Sequence, residues 1–168
     1  MTDAALLPAL ADPFKAAMRR LGATVSIVTT EAGGSRTGMT ATAVSSLCAE
    51  PPSLIVCVNR SASLHPLLAE GASLCVNLLS EGQEELSAVF GSGKVQGEAR
   101  FAHGSWRSGP NGAPALGGAQ ANLFGTVERL VDYGTHTIVI LRVTSVTLAE
   151  DGAPLLYLDG RYLAAAAA

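Results

Sequence analysis

The segment 59–66, with the sequence NRSASLHP, concentrates residue types that bind anions. It follows a short apolar stretch at 54–58 and precedes a predicted helix at 64–70. Serine hydroxyls and free N–H groups at a helix start can bind a phosphate, and the adjacent arginine adds positive charge. Ordinary N-capping by Ser61 or Ser63 explains the same pattern. The segment alone leaves both interpretations open.

A second segment, 37–46, contains no large side chain except Met39. Small side chains let a flat ligand approach the backbone, whose N–H and C=O groups can then hydrogen-bond the edges of a ring. Close packing against another sheet or subunit would favour the same residues. This segment therefore either lines a ligand-binding site or packs against another sheet or subunit.

Two single polar residues are further candidates. His136 follows Tyr133-Gly134-Thr135 at the start of an apolar stretch, where a lone histidine is more often structural than functional. Asn77 lies inside the apolar stretch 74–79, so when buried it must hydrogen-bond either the backbone or a ligand.

The elements that must position these residues are mainly strands. About seven strand-like stretches and three short helices, with all the helices early, suggest a closed β-barrel rather than βαβ units. The first helix is predicted to begin at Asp12-Pro13, after an N-terminal tail at 1–12. A buried stripe on that helix is formed by Phe14, Ala17, Met18 and Leu21. The domain is predicted at 13–163, with a disordered tail at 164–168.

The composition excludes several classes of protein. The chain has only 11 Lys and Arg among 168 residues and a net charge of −3, so it lacks the excess of positive charge typical of proteins that bind nucleic acid. No apolar run approaches the ~20 residues that cross a bilayer, and no signal peptide is evident. The three cysteines are predicted to be reduced thiols in the core of a cytoplasmic protein. The three histidines lack metal-ligand spacing, so no metal site is predicted.

The segment 91–97, GSGKVQG, matches neither the GxGxxG nor the P-loop spacing, so a nucleotide-binding loop is not predicted there. The charged fraction of 15% is low against an average of about 25%. A chain so poor in charge is expected to cover part of its surface in a homo-oligomer.

Taken together, the motifs resemble the short-chain flavin reductase family. The matching stretches follow the family's order from residue 14 to 163, and they read FKAAMRRLGATVSIVTT, TGMTATAVSS, PPSLIVCVNRSASLHP, LCVNLLS, THTIVILRV and PLLYLDGRY. The resemblance implies a split β-barrel of Greek-key type that forms a homodimer, with flavin near the subunit interface. It implies an NAD(P)H:flavin oxidoreductase that uses FMN or FAD and NADH or NADPH. Hydride would pass from nicotinamide C4 to flavin N5, and the reduced flavin would go to a partner monooxygenase.

The resemblance also implies the residues of the site. The cofactor-binding set is Met39, Thr40, Ala41, Thr42, Ser45, Ser46, Leu47, Asn59, Arg60, Ser61, Ala62, Ser63, Asn77, His136 and Tyr162. Residues 59–63 would hold the flavin phosphate, and His136 would lie near the nicotinamide as the catalytic residue. Thr135 replaces the acid that usually precedes this histidine. A non-catalytic flavin- or haem-binding barrel, and an oxidase with a tightly held flavin, remain alternatives.

Overall fold

The computed structural model describes the backbone of residues 3–164 and the side chains of residues 9–163. This part of the chain is mainly β, as predicted. The helices are α1 (Asp3–Met18) and α2 (Glu84–Gly91), and 3₁₀ turns cover His65–Leu67 and Gly97–Ala102. The strands are β1 (Ala23–Thr24), β2 (Ser26–Ala32), β3 (Ser35–Ala41), β4 (Val44–Ala49), β5 (Pro52–Asn59), β6 (Ser73–Leu78), β7 (Trp106–Ser108), β8 (Pro114–Leu116), β9 (Ala121–Tyr133), β10 (His136–Leu148), β11 (Leu155–Leu158) and β12 (Arg161–Ala164).

Seven antiparallel strands form the main sheet in the order β3-β2-β6-β9-β10-β5-β4. The long hairpin of β9 and β10 turns at Gly134, whose positive φ of 56° suits glycine. The outer strands β3 and β4 do not pair with each other within the described residues. The closed barrel suggested by the strand count is therefore not found in this part of the chain.

Two apolar clusters pack on the sheet. The larger one contains the fully buried Val28, Val56 and Val139, which point inward because strand residues alternate between faces. The smaller one joins Phe90 of α2 to Phe101 and to the partly buried Trp106, with ring centroids 5.0–5.3 Å apart. These aromatic contacts anchor the long loop region 91–118 onto the sheet.

The predicted start of the first helix is wrong. Residues 3–12 are helical rather than a tail, and α1 continues through Pro13. The sequence favours this because strong helix formers, alanine and leucine, occupy seven of the ten positions from 3 to 12. The stripe predicted to be buried is exposed, with Phe14 63% and Leu21 68% accessible in the single chain. None of the helices within residues 3–164 is long and apolar enough to span a bilayer.

Several local predictions also need correction. The helix predicted at 64–70 is only the 3₁₀ turn His65–Leu67. The helix α2 begins after Gln83 without a side-chain cap; the Gln83 side chain accepts a hydrogen bond from the Ser80 N–H, and the Ser80 hydroxyl donates to the Gly118 carbonyl. The predicted tail at 164–168 lies outside the described residues except for the backbone of Ala164.

The prediction that all three cysteines are core thiols is wrong. Cys48 is exposed and Cys57 is half-buried, whereas Cys75 is fully buried. Burial raises the pKa of the Cys75 thiol to about 12, because a thiolate would lose its hydration there.

Candidate active site

The loop that leaves β5 is ordered by the side chain of Asn59. Its Oδ1 accepts hydrogen bonds from the N–H of Ser61 at 2.9 Å and from the Ser61 hydroxyl at 2.8 Å. Neither Ser61 nor Ser63 caps the following 3₁₀ turn, which begins at Leu64 without a side-chain cap. The capping interpretation of this segment is therefore wrong.

The loop opens onto a cleft of about 480 Å³, between the loop, β3 and the segment after α2. A second cleft of about 380 Å³ shares Thr40, Gly91 and Ser92 with the first, so the two are adjacent. Together they gather seven of the predicted site residues, namely Met39, Thr40, Thr42, Ser61, Ala62, Ser63 and Tyr162. We call this combined surface the double cleft.

Two hydrogen bonds attach the wall of the double cleft to α2. The Thr40 hydroxyl donates to the Ser87 carbonyl at 2.7 Å, and the Tyr162 hydroxyl donates to the Ser87 Oγ at 2.9 Å. At Gly38, a Cβ would lie 3.0 Å from the Phe90 ring and from the Val28 carbonyl. The small residues in 37–46 therefore have two roles. Gly38 allows close packing against Phe90 and Val28, and the residues near Thr40 add no bulky side chain to the cleft.

Arg100 is a cleft residue that the sequence reasoning did not assign to the site. It is only 6% exposed, and it lines the double cleft on the side facing Ser63. Its Nη1 donates to Ser63 Oγ at 3.1 Å and to the Gly38 carbonyl. The sequence placed Arg100 in a loop next to Phe101, and nothing in that local pattern indicates that the loop folds back onto β3.

Arg60 and His136 lie near the loop but outside the lining of the double cleft. The Arg60 guanidinium pairs with Asp132 at 2.7 Å, and its backbone N–H donates to the Thr135 carbonyl. His136 is exposed at the hairpin tip, opposite Asn59 in the β5–β10 register. Its Nδ1 lies 2.9 Å from the Thr135 hydroxyl. Thr135 is therefore a hydrogen-bond partner of His136, in the position where the family usually has an acid.

Four other predicted residues lie elsewhere. Ser45 and Ser46 line a separate, mostly apolar cleft of about 400 Å³. Leu47 is 49% exposed, and the Ala41 side chain belongs to the larger core cluster, so only the Ala41 backbone can face a ligand at β3.

Asn77, which the family resemblance implies as a cofactor contact, lies in the core of the single chain. It is fully buried, and its Nδ2 donates to the Ile27 carbonyl and to the Thr29 hydroxyl. Its Oδ1 accepts from the Leu116 N–H and from Asn122 Nδ2, both at 2.8 Å. The protein itself satisfies this amide, as buried polar groups require.

A family model described as the flavin reductase like domain matches residues 18–166. The chain belongs to this family. It is 44% identical over 149 residues, which are 89% of each chain, to a Cronobacter sakazakii protein named FMN reductase (NADH) RutF.

Two solved structures share the fold. Streptomyces globisporus NADH:FAD oxidoreductase SgcE6, in complex with NAD and FAD fragments, is 28% identical with a TM-score of 0.83, covering 89% of each chain. BorF, the flavin reductase component of a bacterial two-component tryptophan halogenase, is 25% identical with a TM-score of 0.84, covering 91% of this chain and 96% of BorF.

Proposed function

We propose that the protein is an NAD(P)H:flavin oxidoreductase that reduces FMN or FAD. The double cleft is the observation that best supports this function. One end presents Ser63 and the buried cation of Arg100, and the wall at Thr40 and Thr42 lacks bulky side chains. The first feature suits a phosphate and the second suits a flat ring. The names of the relatives support NADH as reductant.

The chain's residues bind and orient the rings rather than act as acids or bases. When bound, the nicotinamide and the flavin supply the chemistry themselves, a hydride transfer from nicotinamide C4 to flavin N5. The lining of the double cleft contains no Asp, Glu or His among the described residues. Alignment of the two rings, with water excluded, is therefore the main contribution of the protein.

In this proposal, the flavin is held by the seven residues gathered in the double cleft together with the backbone of Ala41. Asn59 acts indirectly, because its carbonyl oxygen orders Ser61. Contacts from Ser45, Ser46 and Leu47 stay predictions of the family resemblance. His136, held by Thr135 at the hairpin tip, is proposed to position the nicotinamide rather than to transfer a proton.

We further propose that the seven-stranded sheet is the split β-barrel of the family. A flat sheet would hold its outer strands about 29 Å apart, at about 4.8 Å for each of six spacings. The outer strands β3 and β4 are joined through Thr42 and Ala43 only. The three Cα steps from Ala41 to Val44 span at most about 11 Å. The sheet must therefore curl until its two edges approach each other.

A homodimer is proposed from apolar surface that one chain leaves uncovered. The exposed stripe on and just after α1 contains Leu10, Phe14, Met18 and Leu21. The separate apolar cleft, lined in part by Val44, Leu54 and Val146, is also uncovered in the single chain. A second subunit that covers these surfaces would remove their apolar area from water.

The proposed partner of the reaction is a monooxygenase component that receives reduced flavin. BorF, which shares the fold, is named as the reductase component of a two-component halogenase system. A cytoplasmic location is proposed with it, since the three cysteines are free thiols.

The deciding experiment is anaerobic mixing of the purified protein with NADH or NADPH in the presence of FMN or FAD. We expect bleaching of the visible flavin absorbance as the flavin is reduced, and steady-state rates that saturate with added free flavin. Flavin or haem binding without NAD(P)H oxidation would identify a non-catalytic barrel. Rates independent of added flavin would identify an oxidase with a resident cofactor.

A further inference from the structure

Arg100 is a buried cation without an anionic partner. The guanidinium donates to three carbonyl oxygens, those of Gly38, Ser92 and Val95, and to the hydroxyl of Ser63. Among the side chains described, no carboxylate lies within 4.0 Å of it. Burial lowers the pKa of Arg100, since the charged form loses hydration. Buried charges are normally paired, so this one is poised for an external anion.

Arg100 and Ser63, which both line the double cleft, retain unused hydrogen-bond donors. A guanidinium carries five N–H groups, and four are used by the neutral acceptors, which leaves one on Nη2. The Ser63 Oγ accepts from Arg100, so its own O–H is free to donate. The Ser63 backbone N–H also donates to no residue within the described chain. Three unused donors and one positive charge therefore belong to two neighbouring residues that line one end of the cleft.

Neighbouring arginines do not offer the same site. Arg60, which the family resemblance assigns to the phosphate, is paired with Asp132 outside the cleft. Arg36 is paired with Glu98 and lies 4.6 Å over the Phe101 ring. Only Arg100 of these three lines the double cleft.

We propose that Arg100, together with Ser63, binds the phosphate of the flavin nucleotide and makes the enzyme discriminate FMN from riboflavin, which has no phosphate. This inference rests on the proposed function and names a specificity-determining residue within that site. The role is electrostatic and directional, because the remaining Nη2–H of Arg100 and the donors of Ser63 can form charge-assisted hydrogen bonds with phosphate oxygens.

The test is the ratio of kcat/KM for FMN to that for riboflavin, with NADH saturating. Arg100→Gln is expected to lower this ratio by about tenfold to a hundredfold, the usual loss for a charge-assisted hydrogen bond. Ser63→Ala is expected to lower it by about threefold to tenfold. The matched control, Arg36→Gln, is expected to keep the ratio within about twofold. A wild-type ratio near one, or an unchanged ratio in Arg100→Gln, would overturn the inference.

Two further measurements cover a variant that fails to fold or an enzyme that fails to turn over. In the wild-type protein, inorganic phosphate at matched ionic strength should inhibit the FMN reaction competitively and spare the riboflavin reaction. Equal inhibition of both reactions would overturn the role of Arg100. Equilibrium binding of FMN and riboflavin, followed by flavin fluorescence, gives the same selectivity without turnover. Selective binding without NADH oxidation would overturn the proposed function and leave the phosphate site standing.

Discussion

The carboxylate of Asp132 lies 2.7 Å from the guanidinium of Arg60, and this pair ties the tip of the β9–β10 hairpin to the loop after β5. The Asp132 carboxylate also accepts a 2.6 Å hydrogen bond from Thr137. Because the Thr137 hydroxyl gives its only hydrogen to Asp132, the His65 Nε2 at 2.9 Å must be the donor in the next bond. One carboxylate thus orients both ends of the 60–65 segment.

Asp132→Asn is expected to raise the KM for flavin by about twofold to fivefold while kcat changes little. The pair is exposed, so the effect is modest, and it acts through the loop that carries Ser61 and Ser63. Glu128→Gln is the control, since Glu128 pairs with Arg142 elsewhere on the sheet. Equal changes in the two variants would contradict a role for Asp132 in placing the loop.

Asp132 should also contribute to the pH dependence of stability. The hydrogen bond from Thr137, and then the charge of Arg60, hold the pKa of Asp132 below its ordinary value. Its contribution is therefore present above the unfolded pKa of about 3.9 and is lost as pH falls through the lower native pKa. Urea unfolding between about pH 5 and 2 should show a shallower acid loss in Asp132→Asn than in the wild type.

His136→Ala is expected to raise the KM for NADH by about threefold to tenfold, with a smaller change in flavin affinity. Thr135→Val should give a weaker effect in the same direction, because it removes only the hydrogen bond to Nδ1. His103→Ala is the control, a half-buried histidine elsewhere in the chain. An equal loss of NADH and flavin affinity in His136→Ala would count against nicotinamide placement.

The double substitution Phe14→Glu and Met18→Glu is expected to shift the protein from dimer to monomer in light scattering after gel filtration. Both side chains are exposed on the apolar side of α1, and burying two carboxylates in an interface is strongly unfavourable. Ala16→Glu adds a charge elsewhere on the same helix and should leave the dimer intact. A wild-type protein that elutes as a monomer would refute the proposed dimer.

Asn77→Ala is expected to lower the free energy of unfolding by about 2–4 kcal/mol, because the Leu116 N–H and the Asn122 amide lose their acceptor inside the core. Chemical denaturation measures this loss, and Thr147→Ala on an exposed strand position serves as control. The KM for flavin should not change while the variant is folded. A selective loss of flavin affinity would restore Asn77 as a cofactor contact.

The sequence predicted the mainly β class, because strand propensity is a local property, whereas the placement of 37–46 and 59–63 in one site was implied by the family resemblance alone. It predicted the wrong start for α1, since the Asp12-Pro13 pattern is the same at a helix start and inside a longer helix. Periodicity alone also could not show that the stripe around Phe14 lacks a partner within one chain.

The parts of the site that the sequence missed depend on contacts between distant segments. Arg100 reaches Gly38 and Ser63, which are 62 and 37 residues away along the chain. Likewise, Asn77 looks the same in sequence whether its partner is a ligand or the Leu116 backbone 39 residues later. Residue type and spacing indicate which groups need a partner, and only the folded chain shows where each partner comes from.

The aromatic cluster behind the cleft gives the protein a built-in optical signal. Trp106 is the single tryptophan of the chain, and its ring lies 5.0 Å from that of Phe101, the residue next to Arg100. The emission of this indole therefore originates close to the phosphate end of the double cleft, where a bound flavin would quench it by energy transfer. Ligand arrival and departure can be followed in real time on the unmodified protein, without a label that would disturb the surface being studied.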